Sequence, residues 1–115
     1  MSRHDPVITL GHMLDYAREA AALVRGRSRG DLDTDRQLNL SAVRLLEVLG
    51  EAASRIPSDV RARYPQIQWT QIVGMRNRLI HAYDFIDFNT IWQTLTVDLP
   101  PLIAQLEQIL SSGEA

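Results

Sequence analysis

Apolar residues recur at three- and four-residue steps along almost the whole chain, the period of a helix with one buried face. Val7, Leu10, Met13, Leu14, Ala17, Ala21 and Val24 form the first such stripe. The stretch from Gly26 to Asp31 interrupts it and reads as a loop. A second helix is expected from Thr34 or Asp35 to Ser54, with Leu38, Ala42, Leu45, Leu46, Leu49 and Ala53 on one side. Pro57 breaks the pattern, Ser58 is placed to cap a short helix through Tyr64, and Pro65 stops that one. A further helix from Gln68 or Trp69 carries Ile72, Val73, Met75, Leu79 and Ile80. Asp84 to Asn89 reads as a turn, with Asp87 or Asn89 as the next N-cap. The last stripe runs through Ile91, Trp92, Leu95, Leu99, Leu102, Ile103, Leu106 and Leu110, and Pro100 with Pro101 should kink or split it.

No β-type alternation, internal repeat or linker interrupts this pattern. The expectation is an all-α antiparallel four-helix bundle with an additional short helix, formed as a single domain over residues 1–115. A chain of this length buries a modest core and gains from oligomerising. It contains no cysteine, which excludes disulfides, thiolate catalysis and cysteine-based metal sites. The start Met1-Ser2-Arg3-His4-Asp5-Pro6 lacks the apolar run of a signal peptide, and no stretch is long enough to span a membrane. A cytoplasmic protein is therefore expected.

Net charge is −2, which argues against a general nucleic-acid binder, but the charge is unevenly spread. Residues 1–54 sum to −1, residues 55–83 to +4 and residues 84–115 to −5. All 12 basic residues are arginine, the better side chain for bidentate phosphate contacts, although a codon bias towards arginine is the preferred reason for the missing lysine.

Inside the basic segment lies Arg76-Asn77-Arg78-Leu79-Ile80-His81-Ala82-Tyr83. RNA carries its own nucleophile, the 2′-hydroxyl. Cleavage needs a base for its proton, an acid for the leaving 5′-oxygen and a cation for the pentavalent phosphate. His81 offers proton transfer, since an imidazole titrates at about 6.5. Arg76 offers permanent charge. Asn77, four residues before His81, shares its face and could orient the imidazole or bind a phosphate oxygen. Arg78, in the same turn, is a candidate RNA contact.

Three features leave this reading open. In an ideal helix Arg76 and His81 point about 140° apart, so either the helix loosens near His81 or the arginine reaches round it. Arg76 and Arg78 could instead pair with Glu47, Glu51 or the acidic tail, and His81 could merely serve the helix dipole. Only one histidine lies in this region, because His4 and His12 are near the N-terminus. A two-fold dimer that pairs the motifs would supply two histidines and two arginines to one cleft. No metal-like His/carboxylate spacing and no glycine-rich phosphate loop is present.

Gly74 to Asp84 resembles the signature of the HepT-like toxins of the HEPN superfamily: Arg, four residues, His, one residue, Tyr. Two further blocks are similar to the same family. One is the Gly50-Glu51-Ala52 segment within residues 45–53, and the other is residues 91–100 of the closing helix. The resemblance runs from about residue 38 to 110. It implies an all-α homodimer with the motifs facing each other, acting as a metal-independent endoribonuclease toxin without cofactor. Arg76 and His81 would be the catalytic pair, with Asn77 the polar residue beside it. The family is usually paired, in a type VII-like system, with an MntA-like nucleotidyltransferase antitoxin. That enzyme transfers AMP from ATP to the motif tyrosine, here Tyr83. AMP there would set a phosphate and a bulky adenosine beside Arg76 and His81 and block RNA. Glu51 is expected to hold helices together, since a carboxylate beside RNA phosphate would repel it. The alternative is a non-catalytic helical subunit that binds and stabilises such a nucleotidyltransferase.

Overall fold

The computed structural model describes residues 5–81 and 86–112, and every regular element in them is helical. Helix α1 spans Pro6–Leu23, α2 Asp31–Thr34, α3 Arg36–Ser54, α4 Ser58–Arg63 and α5 Trp69–His81. Helix α6 spans Phe88–Gln93, a π-helical turn Thr94–Asp98 follows without a break, and α7 spans Leu99–Ser112. Tyr83, Asp84 and His4 lie outside the described residues.

The helices start where their caps put them. The Asp5 carboxylate accepts from the Val7 N–H at 2.9 Å, and Pro6 sits where its missing N–H costs nothing. Asp35 accepts from the Leu38 N–H at 3.1 Å to begin α3. Asp87, as expected, begins α6 by accepting from the Asn89 N–H at 2.9 Å. Each such cap is worth about 1 kcal/mol. Helix α4 departs from the pattern: Pro57 occupies the N-cap position, Ser58 is its first helical residue, and no side chain caps it.

Helix α3 packs on α1 along one side and on α5 along the other, and α1 also packs on α7. The core between them holds Leu10, Met13, Leu32, Leu95, Leu99 and Leu106, all with less than 2% of their surface exposed. The first stripe is shorter than its pattern. Val7 is 41% exposed, because the buried face of α1 begins only at Leu10 and then runs through Met13, Leu14, Ala17 and Ala20. Periodicity marks a face but not how far its neighbours reach along it. The expected loop after Gly26 also contains a further helical turn, α2. It is docked by buried Leu32 and by Asn39, whose Nδ2 donates to the Leu32 carbonyl at 2.9 Å.

As the prolines imply, the last stripe is divided, into α6 and α7, by the π-helical turn Thr94–Asp98. A proline ring collides with the carbonyl four residues back and supplies no N–H to it. Ahead of Pro100 and Pro101 the helix widens, and the Leu99 N–H reaches back five residues to the Thr94 carbonyl. The bulge leaves Val97 58% exposed on its outer face.

Candidate active site

Helix α5 carries the motif and is fixed at both of its surroundings before the motif begins. Trp69, buried at its start, donates from its indole N–H to the Tyr64 carbonyl at 3.1 Å. The Arg61 guanidinium lies over the same ring, 5.8 Å from its centre, and donates to the Ile56 and Ala53 carbonyls that end α3. Trp69 is thus a core residue, as the apolar stripe implies.

Further along, α5 crosses α3 at Gly50. A β-carbon built at Gly50 would stand 2.3 Å from Cβ of Arg76 and 3.0 Å from the Ile72 carbonyl oxygen. No other residue type fits there without moving one helix. The contact seats the stem of Arg76 directly on the α3 backbone. Its Nε is buried and has no hydrogen-bond partner among the described residues. The far end of the guanidinium is held by Asn77, whose Oδ1 accepts from an Arg76 Nη at 3.1 Å. Asn77 therefore engages the arginine before it. No hydrogen bond joins it to His81 among the described residues, because a charged donor lies nearer.

The basic segment divides sharply by use. Arg55 pairs with Glu51 at 3.2 Å and Arg63 with Asp59 at 3.9 Å, while Arg61 serves backbone carbonyls. Glu47 faces Arg44 at 3.9 Å. Glu51 and Glu47 are thus committed elsewhere, and neither reaches Arg76 or Arg78. Among the described residues Arg76 and Arg78 make no ion pair, and Arg78 and His81 are exposed.

Helix α5 remains α-helical through His81, so the loosening that would bring Arg76 and His81 together is absent up to that residue. Within one chain their directions diverge by about 140°. Arg78 and His81, three residues apart, diverge by only about 60° and share a face. Among the described residues no three His, Asp or Glu side chains gather as metal ligands. No helix among them is long and apolar enough to cross a membrane.

Gly50 is the residue whose part sequence reasoning missed. The signal was a glycine inside a strong helical stripe, where it costs about 1 kcal/mol relative to alanine. Such a residue calls for a close approach by another backbone.

An all-helical chain with an Arg-x4-His motif closing one helix defines the class. The model of the family described as HepT-like, "Ribonuclease HepT-like", matches residues 13–109, and the chain belongs to that family. It is 31% identical over 114 residues to "Putative RNase MJ1216" of Methanocaldococcus jannaschii, covering 99% of this chain and 94% of that one. It is 35% identical over 101 residues to "Putative RNase TTE0752" of Caldanaerobacter subterraneus subsp. tengcongensis, covering 88% and 90%. It is 35% identical over 79 residues to "Probable ribonuclease HepT" of Thermococcus cleftensis, covering 69% and 72%. No solved structure matches the chain.

Proposed function

We propose that the protein is a metal-independent RNA endonuclease of a toxin–antitoxin pair, acting as a homodimer whose two motifs form one cleft. The observation that carries this reading is the state of Arg76. It is seated on Gly50, steadied by Asn77 and without a carboxylate partner among the described residues, on the helix that ends in exposed His81. In the same segment Arg55 and Arg63 pair with acids and Arg61 donates to backbone carbonyls, whereas Arg76 does neither among the described residues. Membership of the HepT-like ribonuclease family supports the same chemistry.

In this mechanism one His81 takes the proton of the RNA 2′-hydroxyl. The 2′-oxygen bonds to phosphorus, the bond from phosphorus to the 5′-oxygen breaks, and the second His81 gives its proton to that leaving oxygen. The products are a 2′,3′-cyclic phosphate end and a 5′-hydroxyl end. Arg76 stabilises the charge that gathers on the pentavalent phosphate. The divergence of Arg76 and His81 along a regular helix supports the dimer, since a second copy can bring its own histidine to the first copy's arginine.

Control would follow from AMP transfer to Tyr83 by an MntA-like nucleotidyltransferase. Tyr83 lies two residues past His81, so a phosphate there competes for the same arginines. The test is expression of the chain without its partner, beside His81→Ala, with cleavage of total RNA as the readout. General acid–base groups contribute about 10²–10⁴-fold, so His81→Ala should lose cleavage and toxicity together. Equal harm from both chains would sink the nuclease reading. No harm and no cleavage from either would favour a subunit that only binds the nucleotidyltransferase. Intact mass after co-expression should show AMP increments that map to Tyr83.

A further inference from the structure

A groove of about 360 Å³ opens beside α5, walled by α3 on one side and by the π-helical turn and α7 on the other. Its floor is apolar, with Ile72, Met75 and Leu99, and its rim carries the amides of Gln68, Gln71 and Gln105. The volume lies within the range of small-molecule sites. No arginine lines it, and its charged group is the Asp98 carboxylate, so it repels a phosphate. The rim amides make no hydrogen bond to other described residues, and each offers a donor and an acceptor.

The groove also has a direction. Gln71, Ile72 and Met75 recur at helical spacing on one face of α5, and Gln68 immediately precedes the helix. Met75 additionally lines a second groove of about 340 Å³ that holds Arg78 and Asp87, the latter's carboxylate occupied by the Asn89 N–H and the Thr90 hydroxyl. Arg78 leads on to His81, about 60° further round the helix. From Gln71 to Arg78 is seven residues, about 10 Å of helix, which three bases at a stacked rise of about 3.4 Å would span. Cationic groups thus lie at the motif end of the track, and neutral hydrogen-bonding groups over an apolar floor lie at the other. A single strand of RNA has the complementary layout, with phosphate at the scissile end and a neutral base beyond it.

We propose that this groove takes one unpaired RNA base whose edge sets an exocyclic amino group beside an unprotonated ring nitrogen, adenine or cytosine, a few nucleotides from the scissile phosphate. Asp98 accepts from the amino group, Gln71 pairs with the base edge and Met75 with Ile72 packs on its face. This rests on the nuclease reading, and it adds the part of the substrate that the motif does not read.

The test uses the full chain, with Gln71→Ala and Asp98→Asn, both at exposed positions outside the core. In the first arm, His81→Ala protein is titrated with fluorescent single-stranded 12-mers of poly-A, poly-C and poly-U, so that binding is read without cleavage. Tighter binding of A and C than of U by about tenfold, falling to twofold or less with Gln71→Ala or Asp98→Asn, supports the proposal. The same order of affinities in all variants overturns it. In the second arm, cut ends from a randomised single-stranded RNA are sequenced. The native chain should show A or C enriched at one position near the cut, and the groove variants should lose that enrichment at whatever rate they cut. Loss of all cleavage with the binding preference intact would fault the nuclease reading and leave the groove. In the third arm, sedimentation of Val97→Glu reads whether a second copy fills the groove instead. Conversion of a dimer to a monomer overturns the base site, and an unchanged mass supports it.

Discussion

Arg76 differs from the other arginines of its segment in what holds it. Its stem lies on a glycine, its Nε is enclosed and one Nη is steadied by the neighbouring amide. Charge alone would not need that arrangement. A lysine at 76 keeps the charge but loses the planar fork and has no group to reach Asn77 in the same plane. Arg76→Lys should therefore lower RNA cleavage at least tenfold, while the melting temperature moves by no more than about 3 °C. Rates on a defined RNA beside a thermal melt check this, and full activity would remove any role for the fork. The sequence marks Arg76 and His81 by residue type and places them on one helix. It does not show which acid each arginine has, because an ion pair such as Arg55 with Glu51 and an unpaired Arg78 look alike in a charge count. The hold of Asn77 on Arg76 was likewise hidden, since helical spacing points Asn77 towards His81.

The elements answered to the sequence more closely than the contacts between them. Stripe, cap and breaker residues mark α1, α3, α4 and α5 nearly to the residue, since caps act within one turn. The crossing at Gly50 could not be read, because it joins residues far apart in sequence and leaves no local period. It yields a paired prediction. Gly74 has nothing within 4 Å of an added β-carbon, so Gly74→Ala should stabilise the protein by about 0.5–1 kcal/mol through helix propensity alone. Gly50→Ala gains the same propensity but forces its β-carbon against Arg76 and the α5 backbone. Overpacking of this kind costs about 1–3 kcal/mol, so the net sign should reverse. Urea titration of both variants decides it, and stabilisation by Gly50→Ala would mean that the two helices separate freely.

One polar network ties three elements together around the turn after α1. Arg27 donates to Asp35 at 2.6 Å and lies 3.4 Å from Asp31, while Arg29 donates to Asp33 at 3.0 Å and to Asn89 of α6 at 2.6 Å. Hydrogen bonds hold three carboxyls below the ordinary 3.8: Asp31 from the Ser28 N–H, Asp35 from Arg27 and Asp87 from the Asn89 N–H. The hydrogen bond to Asp35 in turn raises the Arg27 guanidinium above its ordinary value, which matters only in strong alkali. A carboxyl with a depressed folded-state value stabilises above its unfolded value and loses that contribution as pH falls through the folded one. Stability should thus be level above about pH 5 and drop once the pH passes below 3.8. Asp35→Asn keeps an N-cap but loses the charge, so its melting temperature should fall less steeply between pH 5 and 2 than that of the native chain. Parallel slopes would place the acid sensitivity elsewhere.

The whole molecule is acidic, and in its basic segment only Arg76 and Arg78 make neither an ion pair nor a bond to backbone carbonyls among the described residues, so RNA contact at the motif should involve few charges. Each phosphate neutralised on a single strand contributes about −0.7 to the slope of log affinity against log salt. A dimer presenting Arg76 and Arg78 from both copies would give a slope of about −3, and a lone chain about −1.4. Arg78→Ala in the dimer removes two of the four contacts and should bring the slope to about −1.4 without changing the protein's mass in solution. The exposure of Arg78 makes a folding defect a poor explanation for that change. Titration of a labelled single-stranded RNA from 50 to 300 mM salt, with the His81→Ala background to prevent cutting, measures it. A native slope of −6 or steeper would require further cations, supplied by exposed Arg25 and Arg36, which make no ion pair among the described residues, or by paired arginines such as Arg27 and Arg55 leaving their carboxylates.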